Sequence, residues 1–279
     1  MEPPPPIFDR AARRRRRDRA AGGYAAHDFL RAVMLGGIGE RLDAVTRSFT
    51  DVLDLGCFDG AFSPPGDARI VRVDPGYRWA RAAGGVQAEE DRLPFADASF
   101  DLVVSAGVLD QVDDLPGALQ LIRRILRPDG LFLGAFAGAG SLPALRAAWR
   151  TADGERPAAR LHPQIDVRAA GDLLVRAGFA LPVADVEALT VRYRSLGALL
   201  DDLRGMAASN LLHARTPALR GALTRAAQAF AAAADPDGRT SERFQIVYLT
   251  GWAPDASQPK AARRGSATAS LAAALKTTG

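Results

Sequence analysis

The sequence predicts an α/β domain on a mostly parallel sheet of seven strands, with an antiparallel strand last. Three observations carry this expectation. Short apolar runs alternate with stretches of three- and four-residue apolar periodicity from about residue 50 onward, the pattern of strands joined by helices that cover both sheet faces. The first of these runs stops at Gly56, as a buried strand does before a ligand loop. The strongest late run, 244–251, follows a block of alanine-rich helices that interrupts what would otherwise be a closing hairpin.

In chain order, prolines 3–6 form an extended lead, and residues 8–21 read as a helix that carries an arginine run and stops at Gly22-Gly23. A second helix has Phe29, Leu30, Val33, Met34, Ile38, Leu42 and Val45 on one stripe. Strands are expected at 52–55, 69–74, 85–88 and 100–106. A helix over 115–126 ends at the turn Pro128-Asp129-Gly130, before a fifth strand at 131–136. Helices at 142–150 and 167–177, a sixth strand at 179–186, and two or three helices within 196–234 precede the last strand. The organisation expected is a basic helical extension (1–48), a main domain (49–253) with a helical insertion at about 195–234, and a basic, mobile tail (254–279) with one helical turn around 271–275.

Composition narrows the class. At 48% hydrophobic and 24% charged residues, 279 residues suffice for a sizeable core, which excludes collagen, coiled coil and wholesale disorder. The single cysteine, Cys57, excludes an internal disulfide and any multi-cysteine metal site; it reads as a small buried residue after a strand, in a cytoplasmic protein. No 18-residue apolar run predicts a membrane span, and the basic N-terminus lacks the apolar stretch of a secretory signal. The net charge of +4 is local: residues 1–31 hold eight arginines against four acids. The run Arg13 to Arg17 reads first as a solvated helix face, and otherwise as a contact for an acidic partner subunit or for an anionic membrane surface. With no aromatic platform beside it, nucleic acid is not expected. His27, His162 and His213 are scattered, so no metal site is predicted.

The chemistry concentrates at strand ends. Asp54-Leu-Gly-Cys-Phe-Asp-Gly60 follows the first strand, and Asp74 closes the second about twenty residues later, where a carboxylate can accept a ribose hydroxyl pair. By spacing alone, a tight turn with a solvated aspartate explains it equally well. Further pieces follow in order: the segment from Glu89-Glu-Asp to Ser-Phe-Asp101, the strand through Ser105, and Arg127-Pro-Asp-Gly-Leu-Phe132. Together they resemble a class I S-adenosylmethionine-dependent methyltransferase, with a Rossmann-like fold. More narrowly, Ile7-Phe-Asp-Arg10, His27-Asp-Phe-Leu30, Leu189-Thr-Val-Arg-Tyr193 and Leu249-Thr-Gly-Trp-Ala-Pro254 are similar to bacterial relatives of the complex I assembly factors described as methyltransferase or arginine hydroxylase. A more distant likeness, in the insertion, is to malonyl-carrier-protein methyltransferases.

The resemblance implies S-adenosylmethionine as cofactor. It assigns Asp54, Gly56, Cys57 and Gly60 to the methionine end, Asp74 to the ribose, Glu89, with Glu90 or Asp91 as substitutes, to the adenine amine, and Ser105 and Ala106 to the sulfonium side. It implies a protein substrate such as a respiratory complex I subunit, at or near the inner membrane. Two departures stand out. Phe58 occupies a usual glycine position, and only thirteen residues, 56–68, join the first two strands, too few for a full crossover helix. Arg13 and Arg17 are therefore expected to replace the helix N-terminus in holding the cofactor carboxylate. Where the family has a His-Trp pair, this chain has Asp110-Gln111, the candidate catalytic positions; Asp110 orients or deprotonates an acceptor, or else is a solvated loop residue. A cofactor-free assembly factor or chaperone is the alternative of a different class, and arginine hydroxylation is implied only by the resemblance.

Overall fold

A computed structural model describes residues 5–64 and 66–259, so the proposed tail helix at 271–275 lies outside the described residues. Seven strands form one sheet: β1 (Asp51–Leu55), β2 (Arg69–Asp74), β3 (Val86–Gln87), β4 (Phe100–Ala106), β5 (Leu126–Ala137), β6 (Ala180–Tyr193) and β7 (Thr240–Trp252). Their order is β3-β2-β1-β4-β5-β7-β6. The first five pair in parallel, and β7 runs antiparallel between β5 and β6. The chain reverses sheet direction at β1, between β2 and β4, the switch point at which doubly wound sheets bind ligands.

Side-chain alternation builds two cores. On β4 and β5, Leu102, Val104, Leu131, Leu133 and Ala135 face one layer, while Val103, Phe132 and Phe136 face the other. The first layer holds α2 (Phe29–Asp43), α5 (Pro143–Asp153), α7 (Leu196–Gly205) and α8 (Ala222–Ala232). The second holds α4 (Leu115–Ile125) and α6 (Val167–Ala177). Caps fix the helix starts: Asp114 accepts from the Gly117 N–H, and Asp166 from the Ala169 N–H, both at 2.8 Å. Gly178, at φ +85°, closes α6 in the left-handed conformation.

The departures from expectation have local causes. A short helix, α3 (Tyr77–Ala82), stands between β2 and β3 where none is predicted; six residues are too few to show a helical period. The turn at Pro128-Asp129-Gly130 does not precede β5 but lies within it, Asp129 at φ +60° marking the register shift against β4. Strand β6 runs to Tyr193, beyond the expected end at 186, because β7 pairs with it as far as Thr240. As expected, the described residues of 56–68 form no helix. Phe58 and Phe62 from that link, with Phe49, are buried in the first core and cover the sheet in its place. No helix among the described residues is long and apolar enough to cross a membrane.

Candidate active site

The carboxyl ends of β1, β2 and β4 bring together most of the expected site residues. After β1 the chain turns sharply: Gly56, at φ +76°, lets the N–H groups of Gly56 and Cys57 both donate to the Val73 carbonyl, at 2.8 and 2.9 Å. A Cβ on Gly56 would lie 2.5 Å from Val108 Cγ1, so the turn requires glycine twice over. Phe58 also adopts positive φ, +47°, which explains why glycine is the ordinary occupant of that position. Asp54 and Ser105, from neighbouring strands, are fully buried, and Asp54 Oδ2 and Ser105 Oγ have no hydrogen-bond partner. Burial pushes the Asp54 carboxyl up to about 6, with Arg31 at 3.4 Å offsetting only part of the effect. Cys57 is buried, its thiol pushed upward for the same reason. Ala106 is buried, and Gly60 turns at φ +73°.

The nucleoside end is covered by α1 (Arg10–Ala20), capped by the Asp9 carboxylate on the Ala12 N–H. Arg10, Arg13, Arg14 and Arg17 recur at three- and four-residue intervals and share one helix face. That face docks on the acids. Arg17 binds both oxygens of Asp74, with Nε to Oδ1 at 2.9 Å; the Phe58 and Gly76 N–H groups add contacts at 3.0 and 2.7 Å. Arg13 donates to Glu90 at 2.6 and 2.8 Å and to Glu89 at 3.0 Å. Arg14 also reaches Glu89, at 2.7 Å, and Arg10 forks onto Asp91. Burial alone would lower the Arg13 guanidinium, but Glu90 and Glu89 more than offset it and hold it above its ordinary range. The Phe58 ring lies beneath Arg17, 3.8 Å from Cζ to centroid, and stacks on Tyr24 at 5.0 Å.

One expectation is corrected here. The arginine run is only in part a solvated face: Arg14 and Arg15 are exposed, but Arg13 and Arg17 are 2% and 1% exposed. Both of these guanidiniums are paired with the protein's own acids. The clue was present in the spacing of Arg10, Arg13, Arg14 and Arg17 and in the complementary run Glu89-Glu-Asp91. Arg31, which bridges Asp54 and Asp59, carries no comparable signal in the sequence.

After β4, a short 3-10 turn (Leu109–Gln111) presents Asp110 and Gln111. Asp110 is only partly exposed, not a freely solvated loop residue; burial pushes its carboxyl up to about 6, and it lines a cavity of about 680 Å³. Gln111 is buried with Oε1 unpartnered. The described residues contain no metal-ligand cluster.

The fit to S-adenosylmethionine therefore differs between its two ends. Buried, unpartnered Asp54 Oδ2 suits the polar methionine end, and the equally unpartnered Ser105 Oγ suits the sulfonium side beside it. Asp74 already accepts from three groups, so a ribose can replace Arg17 there but cannot join it.

A family model described as a methyltransferase domain matches residues 53–134. The arginine-hydroxylase NDUFAF5, mitochondrial, of Danio rerio is 34% identical over 262 residues, covering 88% of this chain and 82% of that protein. The malonyl-[acyl-carrier protein] O-methyltransferase of Methylovorus sp. (strain MP688) is 32% identical over 261 residues, 86% of this chain and 87% of that one. Among solved structures, the YcgJ protein from Bacillus subtilis shares the fold at TM-score 0.56 and 17% identity, over 80% of this chain and 99% of that one. Phosphoethanolamine N-methyltransferase 2 of Haemonchus contortus, solved with phosphomonomethylethanolamine and S-adenosylhomocysteine, aligns at TM-score 0.50 and 15% identity, over 87% of this chain and 60% of that one. Sheet order, the glycine-bearing turn after β1 and these likenesses agree: the chain belongs to the methyltransferase-fold family that includes the mitochondrial arginine-hydroxylase NDUFAF5 and the malonyl-[acyl-carrier protein] O-methyltransferases.

Proposed function

We propose that the protein is an S-adenosylmethionine-dependent enzyme of the methyltransferase type that modifies a protein side chain, with α1 as a cover that leaves Asp74 when the nucleoside enters. The observation that carries this is the pair of buried, unpartnered oxygens on Asp54 and Ser105 at the switch point of the sheet. Asp54, Gly56, Cys57 and Gly60 hold the methionine end, Ser105 and Ala106 line the sulfonium side, and Asp74 with Glu89 or Glu90 takes the nucleoside once Arg17 and Arg13 withdraw. The cofactor supplies a methyl group on a sulfonium. The chain's own contribution is to align the acceptor and exclude water. Asp110, half ionised near pH 6, takes a proton from an acceptor nitrogen or oxygen in the adjoining cavity, and Gln111 Oε1 accepts a hydrogen bond that orients it.

The named relative makes arginine the first acceptor to examine, and the resemblance to complex I assembly factors makes a complex I subunit the first protein, met in the cytoplasm or against the inner membrane. Mass spectrometry of complex I subunits from cells lacking the protein distinguishes a lost methyl group from a lost oxygen.

Calorimetry with S-adenosylhomocysteine tests the cofactor assignment. If α1 competes for Asp74, Arg17→Met binds at least about tenfold more tightly than the unaltered chain, since a desolvated ion pair no longer has to open. If Arg17 instead held the ligand, affinity would fall. A second reading, a cofactor-free assembly scaffold, is favoured by the full pairing of Asp74, and absence of binding by both proteins would support it.

A further inference from the structure

The cavity beside Asp110, where the proposed reaction places its acceptor, also has a chemistry that the reaction does not use. Its volume of about 680 Å³ lies within the usual range for small-molecule sites, and Leu30, Leu145, Trp149, Leu203, Met206 and Phe244 give it apolar walls. Four arginines also line it. Arg160 is paired with Asp153, Arg204 with Asp201, and Arg215 with Asp9. Arg16 is the exception. It is half-buried, donates Nη1 to the Asn210 carbonyl, and forms no ion pair among the described residues.

Asp9, the acid that acts on Arg16, is already paired with Arg215, and the cavity wall also carries the carboxyl of Asp110. Arg215 stands close enough that, after burial itself, its charge is the main influence lowering the Arg16 guanidinium. Arg215, in the same wall, has Nη1 buried without a partner. His162, also in the wall, accepts the Leu211 N–H through Nε2 at 2.8 Å. Burial, and next the charge of Arg16, push its imidazole down to about 4, so at neutral pH it is uncharged. Apolar walls with one guanidinium outside any ion pair match a ligand that has an aliphatic body and an anionic head.

We propose that this cavity binds such an amphiphile, its chain against Trp149 and Phe244 and its carboxylate or phosphate on Arg16 and Arg215. The site is independent of the cofactor assignment and is tested without cofactor. Calorimetry on the full chain with decanoate, decyl phosphate, decanol and decylammonium separates head from body. One or both anions should bind at least about tenfold more tightly than decanol or decylammonium, the scale of one charge-assisted hydrogen bond. The stronger of the two anions identifies the head as carboxylate or phosphate. Arg16→Gln, which keeps a donor for the Asn210 carbonyl, should bring anion affinity down to that of decanol. Equal affinity for decanol, tighter binding of decylammonium, or no binding of any probe would overturn the proposal. So would an Arg16→Gln protein that keeps the anion preference. The probe comparison on the unaltered chain decides the matter by itself if that variant does not fold.

Discussion

The docking of α1 on the sheet can be measured through Arg17 and Asp74. Both side chains are buried, 1% and 0% exposed, and both carboxylate oxygens of Asp74 engage the guanidinium. Removing one member of such a pair leaves a charge without its counterion in a medium where solvent cannot replace it, at a cost of about 3–5 kcal/mol. For a chain of this size that corresponds to a fall in Tm of roughly 6–20 °C. Arg17→Met and Asp74→Asn should each show this loss. The double variant should be less destabilised than the two losses added together, because neither charge remains, and the coupling should be about 3 kcal/mol. Urea unfolding followed by circular dichroism at pH 7 gives all four stabilities, with the slopes checked for constancy. A coupling below about 0.5 kcal/mol, the value of an exposed pair, would mean that α1 is not seated on Asp74 in solution.

Three other outcomes follow from the site. Phe58→Gly relieves the residue's positive φ but removes a ring packed between Arg17 and Tyr24, so stability should fall by about 2–4 kcal/mol while S-adenosylhomocysteine binds more tightly; unchanged affinity would separate the ring from the cofactor path. Gly56→Ala forces a methyl group against Val108 in a left-handed turn, and an unfolding midpoint within error of the parent would refute that turn geometry. Asp110, raised to about 6 from an ordinary 3.8, holds its proton in the folded state between those values, so its contribution is fully present below pH 3.8 and lost as pH rises through 6. Asp110→Asn should therefore gain about 1–3 kcal/mol relative to the parent at pH 7, and the gain should shrink towards pH 4. A gap independent of pH would show that Asp110 titrates normally.

The sheet was legible because each strand carries its own signal: apolar runs, Gly56 at a required left-handed turn, and caps such as Asp114 and Asp166 at helix starts. The acids at the strand ends were legible as well, through the spacing from Asp54 to Asp74. Their partners were legible only as a shared arginine face on α1 and an acidic run at 89–91; which arginine meets which acid was not, because Arg17 meets Asp74 across 57 residues and Arg13 meets Glu90 across 77. Phe58 illustrates the difference. Its place in the loop marks it as an obstruction to the ligand, but only the fold shows that Arg17 and Tyr24 sandwich the ring. The cavity was likewise invisible: its walls come from α2, α5, α7 and the loops around 160 and 210, segments that share no period.

The guanidinium seated on Asp74 also bears on how occupancy of the cleft responds to its surroundings. In the proposed exchange a neutral ribose succeeds a cation on Asp74, because the sulfonium of S-adenosylmethionine belongs to the other end of the cleft. The acidic bed then loses positive charge as the nucleoside enters, and anything that captures the released guanidinium elsewhere pulls the exchange forward.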